Sequence, residues 1–123
     1  MPTRKQRGHD TERIVAQWFA ANGWPYAEPV GAGRNGTDVT GLPGLLVEVK
    51  ARRDLNLTGW LDQHKQLAIA NDLAPRLRPV AHILLVCRPD GYGAARIGAW
   101  PVIMRLDSFT SLLHEAGYGT EGP

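Results

Sequence analysis

Asp38-Val39-Thr40-Gly41-Leu42-Pro43-Gly44-Leu45-Leu46-Val47-Glu48-Val49-Lys50 is the stretch that governs the reading of this chain. It suggests a short strand over Thr37 to Thr40, a turn through Gly41-Leu42-Pro43-Gly44, and a strongly apolar strand over Leu45 to Ala51. Side chains alternate faces along a strand. Leu45, Val47 and Val49 therefore share one face, and Glu48 and Lys50 the other. A carboxylate and an ammonium within an apolar strand are costly to desolvate unless something uses them. So short a connection predicts an antiparallel hairpin. Opposing Asp38 to Glu48 leaves the loop Leu42-Pro43-Gly44, with glycine last, and sets both acids on one face.

Two carboxylates and a lysine on one face suit a hard divalent cation, which takes oxygen ligands. Asp38 and Glu48 are the expected metal ligands, the Val49 carbonyl a further oxygen, and Mg2+ the expected ion, with Mn2+ as a substitute. Such a cation polarises a phosphodiester and activates water. Lys50 would orient that water or stabilise charge in the transition state. The expected chemistry is that of a nuclease.

Upstream, a helix is predicted from about Thr3 or Asp10 to Asn22, with Gly23 as its stop signal. Ile14, Val15, Trp18 and Phe19 make its apolar stripe, which Glu12 extends toward the N-terminus. An acid on the inward edge of a helix is either a first-turn residue favoured by the helix dipole or a fourth member of the site, reaching the metal directly or through a water. A flexible loop around Gly31, Gly33 and Gly36 separates this region from Asp38.

Downstream, a helix is predicted from Thr58 to Leu73, followed by a linker bracketed by Pro75 and Pro79. His82 to Cys87 then reads as a strand buried on both faces. Arg88-Pro89-Asp90-Gly91 is a turn. Trp100 to Leu106 suggests another strand, with Pro101 marking an edge or an entry, and a last helix capped by Asp107 or Ser108 runs to Ala116. This order implies an α/β fold, a central mixed β-sheet flanked by helices. At 123 residues, 43% apolar and 21% charged, the chain is expected to form a single domain over residues 1–116. The tail over residues 117–123 is expected to be mobile.

Cys87 is the only cysteine, which excludes an intrachain disulfide, and it reads as a small core residue. His9, His64, His82 and His114 lack metal-ligand spacing; His64 falls in the stripe of its helix and reads as a packed core residue. No apolar run is long enough to cross a bilayer, and the basic N-terminus leads into no apolar signal core, so a cytoplasmic location is expected. Walker, dinucleotide and nucleophile-elbow motifs are absent. The net charge of +2 is unevenly spread. Arg4, Lys5, Arg7 and Arg13 cluster at the start, Arg34 precedes the acidic strand, and Arg52 and Arg53 follow the apolar one. Basic residues around an acidic centre suit a polyanion such as DNA, held while a metal acts on it; ordinary solvated surface charge is the competing reading.

The spacing of Asp38 and Glu48-Val49-Lys50 resembles the PD-(D/E)XK nuclease superfamily. Adding Gly8-His9-Asp10-Thr11-Glu12-Arg13, the glycine-rich loop and Ala51-Arg52, residues 4 to 70 look similar to the archaeal and phage Holliday junction resolvases within it. Thr37 stands where the motif has proline, and the loop Gly31-Ala32-Gly33-Arg34 lacks a serine common in resolvases. The resemblance implies a restriction-endonuclease-like fold and a catalytic set of Glu12, Asp38, Glu48 and Lys50. It also implies a homodimer acting on four-way DNA junctions, and a polar residue near the DNA at Gln63. A restriction or repair endonuclease on the same scaffold, and a non-catalytic DNA-binding accessory module, are the alternatives.

Overall fold

The computed structural model describes residues 4–30, 38–51 and 82–120, with the side chains of Arg4, Lys5 and Arg7 outside the description. Helix α1 spans Arg4–Ala21 and is followed by β1 (Glu28–Pro29), β2 (Val39–Thr40) and β3 (Leu45–Lys50). Then come β4 (His82–Cys87), a 3-10 helix (Ala94–Ala99), β5 (Val102–Ile103) and α2 (Leu106–Glu115). The fold is mixed α/β. The predicted helix over Thr58 to Leu73, the proline-bracketed linker and the glycine-rich loop lie outside the described residues.

Helix α1 ends as its glycine signals. Gly23 has a φ of 118°, and the N–H of Trp24 reaches back to the Phe19 carbonyl at 2.9 Å, which closes the last turn. Its inward face keeps Val15, Ile14 and Phe19 of the predicted stripe against the core. Thr11 and Ala16 are buried beside them, whereas Trp18 is 41% exposed. Small residues win these positions because they let the helix lie close to the sheet, where Val15 and Ala16 join Val39, Leu42, Val47, Val49, Val86 and Trp100 in one core cluster.

Among the described residues the sheet is two pieces rather than one. Strands β3, β4 and β5 form a mixed three-stranded sheet, with β3 and β4 parallel from the pair Leu45–His82 to the pair Lys50–Cys87, and β5 antiparallel to β4. Central β4 is buried at His82, Leu85, Val86 and Cys87, as its apolar run predicts. Burial pushes the Cys87 thiol up, in keeping with a packed core residue.

The predicted hairpin pairing of 38 with 48 is not formed. Strand β2 pairs with β1, Thr40 opposite Glu28 and Val39 opposite Pro29. The turn itself forms, with the Leu45 N–H donating to the Leu42 carbonyl at 3.0 Å and Gly44 at a φ of 81°. Gly41 follows β2 with a φ of 82°, and any Cβ on it would strike the Tyr26 carbonyl. That close approach beside β1 is open only to glycine.

At the C-terminal end, the predicted strand from Trp100 to Leu106 shrinks to Val102–Ile103 at the sheet edge, just after Pro101, and Trp100 turns into the core. Helix α2 starts two residues earlier than a cap at Asp107 predicts, and three earlier than one at Ser108. Arg105 takes the cap position without a side-chain bond, and Asp107 sits in the first turn, accepting from the Ser108 N–H at 2.7 Å. Tyr118 N–H bonds back to Leu113 over Gly117 at a φ of 94°, so the first tail residues are tied to the helix. No helix among the described residues is long and apolar enough to cross a membrane.

Candidate active site

Asp38 stands where the two sheets meet. Its N–H donates to the Val47 carbonyl of β3 at 2.7 Å, while its own carbonyl accepts from Val30 beside β1 at 3.0 Å. Its side chain is fixed as well, with Oδ2 accepting the Val49 N–H at 2.9 Å. Three hydrogen bonds thus set the carboxylate against the outer edge of β3. The predicted proximity of Asp38 and Glu48 is realised by a different route from the predicted hairpin ladder.

The Gly44 and Lys50 carbonyls accept from His82 and Arg88 on the β4 side, at 3.2 and 2.8 Å. Backbone polar groups alternate sides along a parallel strand. Val47 and Val49 therefore direct theirs to the opposite edge, where Asp38 lies, and the Val49 carbonyl faces that edge too. Glu48, its side chain 14% exposed, is hydrogen-bonded to Asp38. Lys50 follows on the same face, with Nζ 3.9 Å from Glu48 Oε2.

Electrostatics confirm the crowding of the acids. Burial, the hydrogen bond to Asp38 and the negative charge of Asp38 push Glu48 up to about 8, against the pull of Lys50. Two carboxylates side by side share a proton when no cation separates them. Glu12, on α1 with its side chain 20% exposed, faces the same group: burial and then Asp38 raise its pKa, while His9 at 4.0 Å and Lys50 lower it. It is turned inward, as the helical stripe predicts.

The donors fit a hard divalent cation: two carboxyls directed at each other, a backbone carbonyl on the same edge and a lysine beside them. Among the described residues, however, no three Asp, Glu, His or Cys side chains assemble as a metal-binding group. Glu12 is coupled to the pair electrostatically, through Asp38 and Lys50.

Of the predicted DNA-binding residues, Arg34, Arg52, Arg53 and Gln63 and the side chains of Arg4, Lys5 and Arg7 lie outside the described residues. Arg13 is exposed on α1 and pairs with Asp10 at 3.4 Å. The residue that sequence reading missed is Arg88. Its Nη1 donates to Thr11 Oγ1 at 3.1 Å and its Nε to the Tyr92 carbonyl at 2.9 Å, and its guanidinium lies 5.3 Å from the centre of the Trp100 ring. It ties the helix that carries Glu12 to the strand end that carries Lys50. The available signal was its position, directly after a buried strand whose parallel partner ends in Lys50, since sites in such sheets gather at the carboxyl ends of strands.

Comparison with known proteins returns no match to a family model, a curated protein or a solved structure.

Proposed function

We propose that this protein is a metal-dependent endodeoxyribonuclease on a restriction-endonuclease-like fold, and that its substrate is a four-way or otherwise branched DNA. The observation that carries the reading is the braced acid pair: Asp38 held by the Val49 N–H and bonded to Glu48, with Lys50 3.9 Å beyond. An arrangement of this kind is costly in a protein that does not use it.

Asp38, Glu48 and the Val49 carbonyl would hold Mg2+ or Mn2+. When bound, the cation supplies Lewis acidity to the phosphodiester and the means to activate water. Asp38 needs no rearrangement for this, because its backbone and side chain are already fixed. The Lys50 ammonium stabilises negative charge gathering on the phosphoryl oxygens. Glu12, electrostatically coupled to Asp38 and Lys50, would accept a hydrogen bond from the water that attacks. Resolution of a junction takes two symmetric incisions, so the working species would be a homodimer.

One rival is a DNA-binding accessory module with an incomplete site, since among the described residues no three ligand side chains cluster. Purified protein incubated with four-way, nicked and linear DNA, with and without Mg2+ or Mn2+, separates the readings. Paired incisions near the crossover are the expected result. Cutting of linear duplex at a fixed sequence would instead make it a restriction or repair enzyme, and binding without metal-dependent cleavage would make it an accessory.

A further inference from the structure

We infer that Arg96, stacked on Tyr92, is a preformed contact for the sugar-phosphate backbone of duplex DNA flanking the scissile bond; the inference rests on the nuclease reading above. The Arg96 guanidinium carbon lies 3.7 Å from the centre of the Tyr92 ring. Stacking engages the flat face of the guanidinium and leaves its N–H edges directed outward, the geometry that grips an oxyanion with paired hydrogen bonds. No carboxylate among the described residues pairs with Arg96, in contrast to Arg13 with Asp10 and Arg105 with Asp107.

The platform is rigid although its cation is exposed. Tyr92 and Ile97 pack against the core, the Arg96 N–H donates to the Gly93 carbonyl at 3.1 Å, and the Tyr92 N–H to the Pro89 carbonyl at 3.1 Å. Little side-chain entropy is left to lose when an anion binds. The platform is also coupled to the site. Arg88 bonds at once the Tyr92 carbonyl and Thr11, the neighbour of Glu12, and its N–H meets the Lys50 carbonyl. A duplex held over the acid pair extends past it, and Arg88 links the loop that carries Arg96 to the strand end that carries Lys50.

The test is anisotropy binding of a labelled linear duplex and a labelled four-way junction to the full chain in EDTA, over a range of salt concentrations. Wild type, Arg96→Ala, Arg96→Lys and Arg105→Ala are compared. Removing one phosphate contact lowers the slope of log K against log salt by about one and weakens binding several-fold. That is the result expected for Arg96→Ala on both DNAs. Arg96→Lys keeps the slope and loses part of the affinity, because lysine carries the charge without the stacked fork. Arg105→Ala, which removes an equal charge from an existing ion pair, leaves the slope unchanged. A wild-type slope in Arg96→Ala, or an equal change in Arg105→Ala, overturns the inference while leaving the nuclease reading intact. Failure of the wild-type protein to bind either DNA overturns both.

Discussion

Glu48→Gln should stabilise the cation-free protein at alkaline pH and abolish its stabilisation by divalent ions. The Glu48 carboxyl rises from 4.5 to about 8 in the folded chain, through burial first and then through Asp38. Between those values the native state keeps a proton that the unfolded chain has released. Stability contributed by that proton is complete below about pH 4.5 and is lost as pH climbs through 8, at a rate of up to about 1.4 kcal/mol per pH unit. The whole interval is worth at most about 5 kcal/mol. The partial exposure of the site and screening by water around half-buried Lys50 bring the expected loss to about 1–3 kcal/mol. Glutamine has the shape of the protonated acid, donates to Asp38 in the same way and has nothing to titrate.

The assay is urea unfolding of both proteins in EDTA at intervals from pH 5 to pH 9. The two should have nearly equal stability at pH 5, and the variant should lead by about 1–3 kcal/mol at pH 9. If Asp38 and Glu48 hold a divalent cation, as proposed, it would take the place of the Glu48 proton. At ten times its Kd it should return about 1.4 kcal/mol to the wild-type protein at pH 8 and almost nothing to the variant. Parallel pH profiles would refute the raised Glu48 carboxyl, and with it the proximity of the two acids. Equal stabilisation of both proteins by Mg2+ or Mn2+ would place the cation elsewhere.

The other expectations concern the brace around this pair. Asp38→Ala removes the acceptor of the Val49 N–H and should cost about 1–2 kcal/mol in thermal or urea unfolding. Asp38→Asn keeps an acceptor there, so it should retain most stability while losing all metal-dependent cleavage of branched DNA. Arg88→Ala strips the hydrogen bonds to Thr11 and Tyr92 and the packing on Trp100, for about 2–4 kcal/mol in urea unfolding; Arg88→Lys should fall between the two, because lysine cannot bridge both acceptors. Gly41→Ala forces a Cβ into the Tyr26 carbonyl at a φ of 82°, and a melt should show a loss of more than about 1 kcal/mol, since a backbone atom cannot swing aside.

Features set by local chemistry were readable before any coordinates. Gly23 ends α1, the apolar runs give β3 and β4, and simple alternation places Glu48 and Lys50 on one face of β3. Pairing was not readable, because it depends on contacts distant in the chain. A turn as short as Gly41 to Gly44 favours a hairpin, and nothing nearby announces that Gly41 exists to admit the Tyr26 carbonyl. Hydropathy misplaced Trp18 for a related reason. A large apolar side chain scores as core, yet a helix lying close on a sheet has room at its contact line for Thr11 and Ala16. Arg88 looked like part of a turn, and its role emerges only when parallel register sets it beside Lys50.

These particulars bear on why the acids lie where they do. In a regular hairpin ladder, Asp38 would spend its N–H and carbonyl on one neighbouring strand, and its side chain would be free to rotate. Here the residue divides its backbone between β3 and Val30, and its carboxylate is consequently brought level with the Val49 N–H. One acid is thereby immobilised by the fold, and the charge of the other is left adjustable by its neighbours. A cation held by this pair, as proposed, would require loss of the Glu48 proton and little movement of Asp38. Its affinity would then be governed by pH more than by reorganisation, with Lys50 and Glu12 setting how readily the proton departs. The close approach that Gly41 permits between the end of β2 and Tyr26 therefore belongs to how the acid pair is built.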